Sequence, residues 1–121
     1  MISEADTPHV KGFWEDLDRL ISSSQLVIGR PKGSTHPRYA EMIYPLDYGY
    51  LKDTLSTDRG GIDVWRGSGD PNDLSGILCT IDLEKRDAEV KLVLGCTAEE
   101  IRIILEFLNE KSMRAVYLRR T

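Results

Sequence analysis

Between residues 43 and 65 the chain sets three tyrosines (Tyr44, Tyr48, Tyr50) and four aspartates (Asp47, Asp53, Asp58, Asp63) into 23 residues. Asp58 and Asp63 flank the Gly60-Gly61 turn, and Asp82 opens a second turn with Asp87 and Glu89 just beyond it. If the two hairpins lie side by side, Asp58, Asp63, Asp82, Asp87 and Glu89 converge at one end of a sheet. Carboxylates crowded together without counter-charge repel and raise one another's pKa values. A divalent cation relieves this, and an all-oxygen donor set favours Mg²⁺, or Mn²⁺, over zinc. Lys32, Arg38 and Lys91 are cations able to hold phosphate oxygens opposite the acids. Metal ions and cations facing one pocket is the arrangement that phosphoryl transfer uses. The plainer alternative is that these acids are solvated turn and hairpin-tip residues.

The elements that would carry these side chains follow from pattern. Thr7 and Pro8 announce a helix over about 8–22, with Val10, Phe13, Trp14, Leu17, Leu20 and Ile21 at helical spacing. Phe13 and Trp14 read as core residues that dock it. A short strand over 25–28 leads into a Pro- and Gly-containing loop, residues 30–39, with three cations and His36. Residues 42–51 read as a strand whose Pro45 places it at an edge or bulge. In the strand 62–66, alternation puts Ile62, Val64 and Arg66 on one face and Asp63 and Trp65 on the other. Strands over 74–81 and 90–94 form a hairpin with a charged tip. Thr97-Ala-Glu-Glu100 is a capping box opening a helix over 98–109, and 113–118 reads as a last strand. The layout is one α+β domain, residues 1–121, built on a small, mostly antiparallel sheet or barrel over about 25–95.

Composition narrows the partners. With 16 cationic and 20 acidic residues the net charge is −4, which argues against a dedicated nucleic-acid surface. No apolar run is long enough for a membrane span, and the N-terminus lacks a signal-peptide layout. Cys79 and Cys96 fit free, buried thiols in a reducing compartment, so a cytoplasmic location is expected.

Tyr44-Pro-Leu-Asp-Tyr-Gly-Tyr50, then Thr54-Leu-Ser-Thr-Asp58 and Asp63-Val, resembles soluble inorganic pyrophosphatase of the first family. That family's pattern is Tyr-Pro-x-Asn-Tyr-Gly-Tyr, a short spacer, and Asp-x-Asp-Pro-x-Asp-Val. The likeness extends over about residues 26–110 and is tight over 43–65. It implies a five-stranded, OB-like β-barrel of pyrophosphatase type, here joined by the N-terminal and C-terminal helices read above, and Mg²⁺-dependent hydrolysis of pyrophosphate or a related phosphoanhydride. Carried over, Asp58 and Asp63 are catalytic and, with Asp82 and either Asp87 or Glu89, hold metal; Tyr48, Arg38 and Lys91 contact phosphate. Lys32 joins these as a phosphate cation on the residue reading. Gly60 stands where the family has its water-activating aspartate, and the family's late Tyr-Lys pair falls on Leu108-Asn109. The alternative reading is therefore a pyrophosphatase-like module that binds metal or phosphate without turnover, with Asp47 and Asp53 as extra acids. A shortened barrel leaves apolar edge to cover, which makes a homo-oligomer a further expectation.

Overall fold

The computed structural model describes residues 8–56 and 59–121. In chain order the elements are α1 (Val10–Ser22), β1 (Leu26–Arg30), β2 (Asp47–Leu51), β3 (Ile62–Arg66), β4 (Leu74–Asp82), β5 (Asp87–Leu94), α2 (Ala98–Leu108) and β6 (Met113–Arg119). The strands form a single six-stranded sheet, ordered β1-β2-β3-β5-β4-β6. Every neighbouring pair is antiparallel except β3–β5, which is parallel and sets Asp63 beside Lys91 and Trp65 beside Val93.

Alternation along the strands divides the apolar residues into two cores. On one face Val64, Ile77, Leu92 and Leu94 pack with Trp14 and Ile21 of α1. On the other, Trp65, Leu78 and Val93 pack with Ile104, Phe107 and Leu108 of α2 and with Met42, Tyr44 and Leu46. The α+β, mostly antiparallel expectation holds, but the sheet is open: no ladder joins β1 to β6 among the described residues. A helix covers each face, so the sheet buries its apolar residues without closing into a barrel. Coverage by α1 is partial, and Ile81, Val90, Val116 and Leu118 stay about half exposed on strands β4, β5 and β6.

Three local expectations change. Thr7 lies outside the described residues, and α1 opens at Val10 after His9, a shift of the size helix ends ordinarily show. Trp14 is buried but Phe13 is half exposed and meets the Trp14 ring edge-on, because it sits at the flank of the Val10–Trp14–Leu17–Ile21 stripe. Residues 42–46 do not extend β2. Instead His36 N–H donates to Met42 O (2.8 Å), Tyr44 N–H to Ser34 O (2.9 Å) and Gly33 N–H to Tyr44 O (2.9 Å), which folds 33–44 into a strap under α2. Pro45, lacking an N–H, sits where the strap meets the sheet.

Candidate anion pocket

The face of the sheet that carries Trp65 also carries the polar side chains of interest. Period-two alternation points Asp63 and Trp65 of β3, Asp87, Glu89 and Lys91 of β5, and Asp82 of β4 toward a cavity of about 220 Å³. Tyr48 of β2, opposite Trp65 in the ladder, forms another wall. The strap and α2 roof the space, contributing among others His36, Arg38, Tyr44 and Phe107.

Lys91 is the centre of this group. It is 4% exposed, and its ammonium donates to Tyr48 Oη (2.7 Å), Asp63 Oδ2 (2.9 Å) and Glu89 Oε2 (3.2 Å). Burial works against its charge, but Tyr48 and Asp63 outweigh that and hold the ammonium above the ordinary lysine range. The Tyr48 phenol is pushed up, chiefly by burial, and stays neutral. Asp82 is committed elsewhere: its Oδ1 accepts from Ser112 Oγ (2.9 Å) and from the Glu84 and Lys85 amides (3.0 and 3.2 Å), closing the β4–β5 turn. Burial alone would raise its carboxyl, but these hydrogen bonds and the Lys85 charge bring it below the usual carboxylate range.

At the mouth, Arg30 Nη1 donates to Tyr44 Oη (2.5 Å), and its guanidinium lies over the Tyr44 and Tyr48 rings at 5.6 and 5.8 Å. His36 stacks on Tyr44, and its Nδ1 accepts from the Arg38 and Tyr39 amides (3.0 and 3.2 Å), which leaves the ring proton on Nε2. Burial, then the charges of Arg30, Lys85 and Arg38, hold its pKa down. Arg30, Arg38 and Lys85 thus lie near His36 on the lining of one cavity.

Of the residues expected from sequence, Asp63, Asp82, Asp87, Glu89, Arg38, Tyr48 and Lys91 line one cavity. Asp58 lies outside the described residues. Lys32 is absent from the lining; its backbone N–H donates to Asp47 Oδ1 (2.8 Å), so both residues fasten the strap to β2. Asp53 is an exposed turn residue with φ 62°. Arg30, Lys85, Lys111 and Ser112 line the cavity and were not singled out. The sequence places Arg30 in the loop 30–39; in the structure it ends β1, where an irregularity between Ile28 and Arg30 sets it opposite Tyr48. Gly29 was the available signal for such a bulge. Leu108 lines the cavity and Asn109 caps α2, while Lys111, two residues on, brings a cation to the same wall.

A divalent ion does not fit the described residues as they stand. The donors have suitable hard oxygens. Yet Asp63 and Glu89 are turned onto Lys91, Asp82 is held by its turn, and among the described residues no three His, Cys, Asp or Glu side chains group to hold a metal.

No family model and no curated protein matches the chain. Among solved structures, an inorganic pyrophosphatase from Coxiella burnetii is similar at 20% identity and a TM-score of 0.43 over 65% of this chain. The chain matches about 64% of that protein's length.

Both cysteines are free, and each is half-buried rather than buried. Burial, with Glu100 nearby, pushes the Cys96 thiol up to about 12, so it is no nucleophile at neutral pH. No helix among the described residues is long and apolar enough to cross a membrane.

Proposed function

We propose that the protein binds a small phosphate-class anion, pyrophosphate or a related phosphoanhydride, in the cavity beneath α2. One observation carries this reading: Arg30, Arg38, Lys85, Lys91 and Lys111, drawn from separate parts of the chain, line a single cavity of about 220 Å³. That volume lies below the roughly 300–1,000 Å³ typical of drug-sized ligands, which favours a compact solute. Guanidinium and ammonium groups give phosphoryl oxygens short, charge-assisted hydrogen bonds. Trp65 adds a buried Nε1–H without an acceptor among the described residues, an unusual condition for a native donor. Calorimetric titration with pyrophosphate tests the reading. Saturable binding is expected, weakened about tenfold or more in Arg30→Ala, since a hydrogen bond to a charged group contributes about 1.5–3 kcal/mol. A flat titration of the wild-type protein would end the proposal.

A second reading adds turnover. Its support is that Asp63, Asp82, Asp87 and Glu89 line the same cavity as the cations. Against it stands Gly60, where a water-activating aspartate would be needed. Phosphate release from pyrophosphate with Mg²⁺ or Mn²⁺, measured beside Asp63→Asn, decides between them. Equal release from the two proteins leaves binding alone.

A further inference from the structure

The acids of this cavity carry their own counter-cation. We propose that the Lys91 ammonium stands where a divalent ion would otherwise be required, so that the pocket takes its phosphate-class anion without metal. The inference rests on the anion-binding reading above and specifies how that site works.

Three features carry it. First, Lys91 contacts both Asp63 and Glu89, at 2.9 and 3.2 Å, and the pair's side chains are themselves mostly buried. A cation with two anionic partners inside the protein is fixed structure and not a mobile surface pair. Second, the position is set by the backbone. Lys91 lies within β5, with Asp63 as its register partner in β3 and Leu78 as its partner in β4, so strands flank it on both sides. The register fixes the backbone of Lys91, and three hydrogen bonds hold its ammonium between the carboxylates. Third, Mg²⁺ demands near-octahedral oxygen ligation and keeps several of its waters. Of the two other carboxylates described on the cavity wall, Asp82 already serves three donors, which leaves Asp87 to supplement the pair held by Lys91.

With Lys91 offsetting one of the two charges of Asp63 and Glu89, an incoming anion meets that pair partly neutralised, with the cations Arg30, Arg38 and Lys85 on the same cavity wall. Metal-dependent sites need the ion because it neutralises charge that side chains cannot. Here a side chain already does part of this.

Calorimetry on the full chain with pyrophosphate, once in excess EDTA and once in excess MgCl₂ with matched blanks, tests the proposal. The affinity in EDTA is expected within about threefold of that in Mg²⁺, a difference well under 1.4 kcal/mol. Binding that appears only with Mg²⁺ overturns the inference and leaves the anion reading in place. Binding in neither condition overturns the anion reading itself. Thermal melts with Mn²⁺ give an independent arm. Lys91→Ala leaves Asp63 and Glu89 facing each other, so Mn²⁺ is expected to raise the melting temperature of this variant and not of the wild type. A rise in the wild type of the same size overturns the inference.

Discussion

Asp82 shows how a residue can have the right type and location for one task while its hydrogen bonds assign it another. As a carboxylate at a hairpin tip it reads as a metal ligand, and the fold does bring it to the cavity wall. Its Oδ1, however, satisfies two backbone amides of its own turn and also Ser112, a contact that sequence spacing does not reveal because Ser112 comes from 30 residues away. Because the folded pKa is depressed, the charged form stabilises the fold above the unfolded value of about 4, and this stabilisation is lost as pH falls through the folded pKa. Asp82→Asn keeps an acceptor and removes the charge. Urea unfolding at a series of pH values should show wild type more stable at neutral pH, with the gap closing in acid. A gap independent of pH would mean that the charge is not what matters. Asp63, Glu89 and Lys91 were legible from residue type and position, and Tyr48 through the family resemblance, in that all four line the cavity. Arg30 was not, since it reads as a loop residue, whereas β1 continues through an irregularity to set it opposite Tyr48.

At the scale of elements, local signals with a direct steric cause were read correctly. The Thr97–Glu100 capping box forms in full, and Glu100 also accepts from Ser68 N–H, which ties α2 to the loop after β3. The Tyr-Gly-Tyr motif has a steric basis of the same kind. A Cβ on Gly49 would lie 1.9 Å from Val27 O, inside the β1–β2 ladder. Gly49→Ala is therefore expected to cost about 2–3 kcal/mol as the strands are forced apart, the range of core overpacking. Gly12→Ala, in α1 where a Cβ meets nothing within 4 Å, should instead stabilise by about 0.5–1 kcal/mol. Urea midpoints for the two variants moving in the same direction would contradict this. The strap was misread as strand because Met42, Tyr44 and Leu46 alternate as strand residues do. They are buried together under α2 while their backbone bonds run to residues 33–36 and not to a neighbouring strand of the sheet.

For the whole molecule, the α+β character and the order of elements were legible, whereas barrel closure was not. Closure depends on whether β1 and β6 meet, and no residue in either strand states its distant neighbour. The observed order places β1-β2-β3 and β5-β4-β6 as two three-stranded groups that share one ladder, β3–β5. Each group is built from strands near in sequence apart from β6, which reaches β4 across α2. Joining them requires the parallel pairing of residues 63–66 with 91–94, the kind of non-local contact that forms slowly. In stopped-flow experiments, Asp63→Asn at this junction should raise the unfolding rate and leave refolding nearly unchanged. Ile77→Val, within the β4–β5 hairpin, should slow refolding. The reverse pattern would place the junction in the folding nucleus.

The single parallel ladder has a consequence for how the protein could be monitored in a living cell. Tyr48 and Asp63 belong to one group of strands, Lys91, Glu89 and Asp82 to the other, so the pocket exists only while the seam between them is shut. A partly unfolded chain that keeps either group intact would retain much of its secondary structure yet have no pocket. Ligand occupancy would then work as a quality signal, reporting whether both halves are joined where circular dichroism would still see strands.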